Sequence, residues 1–462
     1  MGEPRRKSVA IIGTGLSGLV TAHLLHHDRQ RRFDVKLFEK GEELSFCAES
    51  LRVQESEDSS SSQSVWADVP MRAFAGGFYQ NLIRLYDYLG VPYHTQDFIF
   101  TFTHLDSRRI SGCDDVSSAE PSMTHASNFH RIPPIPRTAD IVSWLLEALY
   151  ALFFNLWFTL CAYYIAPYGE ASGSRSETFR HYLQRIYLPR HFVDNYLLPL
   201  MASVCTCSHD ELLDFPASDV LEYKRRTHRQ PHYVVKNGVR AAQGRLVQGL
   251  NVQLKASVEK VVPGSDGVAL HYVDAAGGHR VDSFDLVVLA VSPDVVAAVF
   301  EPLRDTLRRI PTTTVQTVAH NDMASLPRVS AEFRKKSLGT TDQMIHFRST
   351  KGTTEAIHEQ EGRSLIVTTN PITPIKPSRI VRSAKFTRVL RSPESRRIVN
   401  EIFADQELAG TEKPVVHWHN GDGGIFIAGG WCWDGMVLLE GCVVSAMRVA
   451  SSLDVEIPWM RR

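Results

Sequence analysis

Six residues near the amino end, Gly13-Thr14-Gly15-Leu16-Ser17-Gly18, have the composition of a loop that receives phosphate. They follow a short β-branched run, Ser8 to Ile12, and Leu19, Val20, Ala22, Leu24 and Leu25 continue at helical spacing, so the segment reads as strand, tight turn and helix. Each glycine has its own reason. Gly13 lets the chain turn sharply, Gly15 leaves room for a pyrophosphate against the backbone, and Gly18 lets the helix lie close to the strand. The free N–H groups of the helix start, Leu16 and Ser17 among them, and the positive end of its dipole then face the phosphates. A second strand, Asp34 to Phe38, ends in Glu39, 21 positions after Gly18, with Lys40 beside it. An acidic residue at that distance is what the ribose hydroxyls of a bound dinucleotide require. A surface turn is the bland alternative, and the strand, helix and acid together argue against it.

The elements that position these residues come from a chain of 462 residues, long enough for two to four domains. Lys plus Arg and Asp plus Glu both total 51, which leaves no global field to hold a nucleic-acid backbone. No nucleic-acid partner is expected. Hydrophobic residues at 43% and charged residues at 22% exclude a wholly disordered, collagen-like or multi-span membrane chain. Seven cysteines at irregular spacings do not form the framework of a small secreted scaffold, and the apolar run after the basic start is too short for a secretion signal. The expected location is intracellular, cytoplasmic or peripherally membrane-associated.

Near the other end, Gly424 to Ala428 is a further short apolar strand, followed by Gly429-Gly430, then Trp431 to Gly435, then a helix-period run from Met436 through Ala450. The stretch FIAGGWCWDGMVLLEGCVVSAMRVA is similar to the C-terminal flavin motif of the amine oxidase, phytoene desaturase and protoporphyrinogen oxidase superfamily. The resemblance implies FAD as cofactor, with Gly429 and Gly430 by its phosphate and ribityl chain and Gly435, Met436 and Val437 at the pyrimidine edge of the ring. A helix N-terminus there stabilises the negative charge that reduction places on that edge. Asp285 to Val291 resembles the inner strand near the flavin, and Ala256 to Val262 the strand whose Val258 backbone meets the adenine. Val69 to Leu82, continuing to Val91, resembles a group of predicted NAD/FAD-binding proteins within the same superfamily. The implied fold is α/β, a Rossmann-like FAD/NAD(P)-binding domain with an inserted α+β substrate domain.

The expected organisation assigns 1–65, 233–300 and 411–462 to the FAD-binding domain, and 66–232 and 301–410 to the substrate domain. The chain departs from the superfamily after Glu39, where an Arg-Xaa-Gly-Gly element is replaced by Glu43-Leu44-Ser45-Phe46-Cys47-Ala48. Glu55 to Ser64 reads as an exposed, serine-rich insertion. Residues 177–215 read as two amphipathic helices with a break, and Thr314 to Ala319 and Leu365 to Thr369 carry the alternation of sheet.

Residues 141–166 contain nineteen uncharged positions in a row, Ala148 to Ala166, about the length of a membrane span. A single span would place the strands at 8–12 and 424–428 on opposite sides of the bilayer, although both belong to one nucleotide-binding sheet. Two readings remain beside an ordinary buried helix: an in-plane or re-entrant helix at a membrane surface, or the internal wall of an apolar substrate chamber.

The resemblance implies a hydride transfer to flavin N5, and the protein must place a substrate C–H there and manage a proton. No acid or base is assigned. His417-Trp418-His419 reads as surface or packing, Trp431 and Trp433 are candidates for the ring face, and Cys205-Thr206-Cys207 with His209 lacks a second ligand pair for zinc, so no metal is expected. The function expected is an FAD-dependent oxidoreductase that oxidises, desaturates or isomerises an apolar, lipid-like substrate. The alternatives are an amine oxidase and, in another class, a degenerate flavin-binding or membrane-surface scaffold.

Overall fold

A computed structural model describes residues 5–46, 49–53, 65–105, 121–130, 140–169, 176–327, 342–359, 365–403 and 416–460. The serine-rich segment at 55–64, Cys47 and Ala48 lie outside these. A five-stranded parallel sheet gathers distant parts of the chain in the order β10 (Asn251–Gln253), β2 (Phe33–Phe38), β1 (Lys7–Ile12), β14 (Leu286–Leu289), β20 (Ile425–Ile427). The inner strands are apolar on both faces because both are covered. On one face α1 (Leu16–His26) packs beside α10 (Leu439–Ser452). On the other, an antiparallel sheet of β11 (Ser257–Gly264), β12 (Gly267–Val273) and β13 (His279–Phe284) closes a second core around Phe38, Val287 and Leu289 with α8 (Pro293–Val299).

A larger, mostly antiparallel sheet runs in the order β19 (Ile380–Val389), β15 (Thr312–His320), β18 (Ile366–Thr369), β17 (Thr354–Glu359), β16 (Gln343–Ser349), β7 (Phe98–His104), β8 (Met123–Ala126). The alternating segments read from sequence are β15 and β18, paired with Thr317 opposite Thr369. Two small sheets connect the layers: β3 (Leu51–Val53) with β4 (Val65–Ala67), and β5 (Ala73–Ala75) and β6 (Tyr93–Thr95) flanking β9 (His232–Val235). After β9, Asn237 and Gly238 turn with positive φ into α7 (Arg240–Leu246), which lies against α1.

The helices of the second region are α2 (Gln80–Leu89), α3 (Ile141–Tyr164), α4 (Phe179–Arg185), α5 (Leu198–Cys205), α6 (Ala217–Thr227) and α9 (Pro393–Phe403). The two helices expected over 177–215 are shorter pieces, because the backbone turns left-handed at Tyr187 (φ 53) and Thr206 (φ 52).

The long apolar helix α3 corrects one expectation. It is not an internal wall: it buries Ala151, Phe158, Cys161 and Ala162 but leaves Leu145, Leu149, Leu152 and Leu156 exposed, with Leu146 63% and Phe153 62% accessible. Asp140 caps its start by accepting from Ser143 N at 3.1 Å. The covered side is fixed to the body by hydrogen bonds. Trp157 Nε1 donates to Ile186 O at 2.9 Å, Tyr163 Oη to Arg225 O at 3.1 Å, and Arg225 Nη1 to Ala162 O at 3.0 Å.

Candidate active site

The opening turn follows directly from β1. Gly13 has φ 98, and a Cβ there would stand 2.7 Å from Ala290 O of β14's end. A Cβ on Gly18 would stand 2.1 Å from Gly13 O, so α1 folds back tightly on its own turn. Gly15, the N-cap of α1, differs: no atom lies within 4 Å of where its Cβ would be. Protein packing does not demand a glycine there, whereas a ligand approaching the backbone would. Leu16 and Ser17, next along the helix, are buried.

Glu39 ends β2 beside this turn and is buried. Its Oε2 accepts from Thr14 Oγ1 at 2.5 Å and Thr14 N at 3.2 Å, and its Oε1 from Gly41 N at 2.9 Å. The carboxylate is thus held at the mouth of the turn, with lone pairs left for further donors. Lys40 points to solvent. Ala256 N donates to Glu39 O at 2.9 Å, which brings the start of β11 and the half-buried Val258 to the same corner.

The closing segment arrives from β20. Gly429 is buried and donates its N–H to Ser445 Oγ at 3.0 Å, and a Cβ on Gly430 would meet Cys442 Sγ and Leu438 O at 3.2 Å. The Cys442 thiol, in the first turn of α10, is raised by burial to about 11, against the lowering effect of Arg72, Arg388 and the nearby Gly430 and Ser17 N–H groups. The N–H donors of the opening helix and of the closing glycines therefore converge on one point. The helix begins at Leu439 rather than at Met436 as the periodicity suggested. Gly435 (φ 126) and Met436, both buried, and the half-buried Val437 lie in the loop before it.

That loop is held by a residue the sequence did not single out. Arg391 Nη2 donates to Trp433 O at 2.8 Å, Gly435 O at 3.0 Å and Trp431 O at 3.3 Å. Its charge faces Asp219 on α6 (3.6 Å), which Arg396 also approaches (3.5 Å). Burial lowers the Arg391 pKa and raises that of Asp219. Nothing local marks Arg391, because its partners are backbone carbonyls 40 positions away. Both tryptophans build the loop: Trp431 Nε1 donates to Val291 O at 3.1 Å and Trp433 Nε1 to Met436 O at 3.0 Å. Of the other sequence candidates, His417 is exposed at the surface and Trp418 packs on Phe300. His209 Nε2 is 2.8 Å from Thr354 Oγ1, and Cys205 hydrogen-bonds Cys207.

Beside the closing loop lies a region that sequence reading missed. One face of the large sheet presents Phe98, Phe100, Phe102 and Phe347, with His125 stacked near Phe100. Tyr223 and Lys224 reach it from α6, and Arg388 comes from the end of β19. Each of these three, like His125, is half-buried, and burial shifts its pKa. Burial lowers His125 to about 4, so it is neutral near pH 7, and lowers Lys224 to about 8, so its amine loses the proton just above neutral pH. Phe46 is buried in the core at the position of the missing glycines, and Arg72 stacks on its ring (5.2 Å) and donates to its carbonyl (3.1 Å).

The open side of Gly15, the converging N–H groups of Ser17 and Gly430 and the acid at the end of β2 suit an adenine dinucleotide. FAD, when bound, supplies the hydride chemistry; Gly13, Gly15, Ser17, Glu39, Val258 and Gly430 would hold it.

Comparison with known proteins agrees. Residues 11–89 match the NAD(P)-binding Rossmann-like domain, and residues 158–368 match the flavin containing amine oxidoreductase family. No curated protein matches the chain in sequence. Among solved structures, cyclohexylamine oxidase from Brevibacterium oxydans IH-35A is similar with a TM-score of 0.55 at 13% identity, covering 97% of this chain and 100% of its own. The CLA-producing fatty acid isomerase from P. acnes is similar with a TM-score of 0.58 at 12% identity, covering 98% and 99%. At such identities the likeness is one of fold. Joined around one sheet by its two ends, the chain carries a Rossmann-like NAD(P)-binding domain and a flavin containing amine oxidoreductase domain, those of an FAD-dependent oxidoreductase.

Proposed function

We propose that the enzyme oxidises, desaturates or isomerises an apolar, lipid-like substrate that it takes from a membrane surface. The observation that carries this reading is the position of α3. Its uncovered face is a continuous stripe of Leu and Phe, and its covered side is bonded through Tyr163, Ala162 and Arg225 to α6, the helix whose Tyr223 and Lys224 stand at the aromatic chamber. Exposed apolar patches of this extent are rare on soluble monomers and mark contact with a membrane or partner. The helix is 24 residues, about 36 Å long at 1.5 Å per residue. Lying in the interface plane, it would bury that stripe among acyl chains while the body stays in water.

In this reading the aromatic face around Phe100 forms the wall of a chamber that takes an acyl chain, and Lys224, whose pKa burial lowers to about 8, is the proposed acceptor of a proton from a substrate carbon. The test is anaerobic addition of a long-chain lipid or of an amine to the FAD-loaded protein. Bleaching of the flavin band, or shift of a double bond without net bleaching, by the lipid alone supports the reading; bleaching by the amine alone replaces it with amine oxidation.

A further inference from the structure

Arg388 is a cation without a counter-charge among the described residues. It sits on β19 opposite Thr313 of β15, and its guanidinium donates no hydrogen bond to any described residue, with Nε shut off from solvent. A charged neighbour is another arginine, Arg72, which donates to the Phe46 carbonyl and whose charge also faces Asp68. Burial and the charge of Arg72 together lower Arg388 to about 10. The rest of its surroundings are Tyr79, Cys205 and Cys442. Tyr79 in turn faces Tyr223, and neither hydroxyl has a hydrogen-bond partner among the described residues.

Two guanidinium groups held near each other in a desolvated place repel, and a buried donor left unpaired is costly. A fold keeps such an arrangement where an anion completes it. No carboxylate among the described residues forms an ion pair with Arg388, and the one facing Arg72, Asp68, is engaged by Val239 N and Ser50 Oγ.

We propose that Arg72 and Arg388, with the hydroxyls of Tyr79 and Tyr223, form an anion-binding site at the inner end of the chamber, which receives the carboxylate or phosphate head of an acidic ligand. This deepens the lipid reading above and rests on it, the aromatic face of the same sheet suiting the tail of the same molecule. The same chemistry could be met by the cofactor's pyrophosphate, whose N–H donors at Ser17 and Gly430 meet Cys442 beside the two arginines.

The experiment measures two things on full-length protein as wild type, Arg388→Met and Arg388→Lys: FAD retained after gel filtration, and binding of sodium oleate against oleyl alcohol by perturbation of the flavin spectrum. Wild type is expected to prefer oleate by about tenfold or more, the value of a charge-assisted pair. Arg388→Met should lose that preference with FAD retained, and Arg388→Lys should keep part of it. Loss of FAD from Arg388→Met, restored in Arg388→Lys, instead assigns the site to the pyrophosphate and overturns its role for the substrate. Equal binding of oleate and oleyl alcohol by wild type, with FAD unaffected in both variants, overturns the anion site while leaving the apolar chamber standing. Failure of wild type to bind either lipid overturns the lipid reading itself. If Arg388→Met does not fold, the wild-type preference and Arg388→Lys decide alone.

Discussion

Arg391 Nη2 stands 3.0 Å from Gly435 O, and this contact ties the loop before α10 to the end of β19 in the seven-stranded sheet. With the bonds to Trp431 O and Trp433 O it turns three carbonyls inward and fixes where α10 begins. One guanidinium therefore couples the loop before α10 to Asp219 of α6.

Replacing Arg391 with Met should leave those carbonyls and Asp219 without their buried partner. Breaking a buried pair of this kind costs about 3 to 5 kcal/mol. Urea unfolding should show a loss of that size, and FAD retention on gel filtration should fall with it. An unchanged midpoint with full retention would mean that the loop is held by its tryptophans alone.

The glycines of the opening turn separate fold from ligand. Gly15→Ala should unfold at the wild-type temperature, because its Cβ meets nothing within 4 Å, yet bind FAD more weakly. Gly18→Ala should lower the melting temperature, since its Cβ would lie 2.1 Å from Gly13 O. Calorimetry with and without added FAD reads both; equal effects of the two changes would show that Gly15 faces protein rather than ligand.

These glycines also show how much was legible. The strand, turn, helix and acid at 8–39 were readable because each is set by local geometry, and β20 with its following glycines was readable for the same reason. The desolvated titratable groups were not. Arg388, Lys224 and His125 lie on three separate elements, and only their shared desolvation marks them. The length and apolarity of α3 were plain, but which side was covered depended on bonds to Ile186 and Arg225, which no periodicity encodes.

Lys224 gives a pH prediction. Its folded-state pKa, about 8, lies below the usual 10.5, because burial disfavours the ammonium. Below pH 8 the unfolded chain is favoured by the full cost of keeping the charge buried, and stability recovers as pH rises from 8 to 10.5, where the unfolded lysine also loses its proton. Lys224→Met should therefore be more stable than wild type at pH 7, with the difference vanishing by pH 10.5. Chemical denaturation at several pH values checks this, and a constant difference would show that Lys224 is solvated.

Glu440 joins the same core differently. Its buried carboxylate accepts from Asn81 N (2.9 Å), Asn81 Nδ2 (2.8 Å) and Leu82 N (3.0 Å), which caps the start of α2 from α10. Glu440→Ala should cost about 1 to 3 kcal/mol through the donors it leaves unpaired. A smaller loss in thermal unfolding would mean that water replaces the carboxylate.

For α3, Leu146→Ser with Phe153→Ser and Leu156→Ser should abolish flotation with vesicles and leave the melting temperature within a few degrees, since these side chains are exposed. Trp157 is a poor choice for the purpose because its indole holds Ile186 O. Undiminished flotation of the triple variant would remove α3 from the membrane contact.

The most direct measurement is the visible spectrum of the purified protein together with the mass of the ligand released on denaturation. A flavin band near one FAD per chain, lost in Gly15→Ala, is the predicted result. Colourless protein that takes up no FAD when it is supplied would contradict the account at its centre.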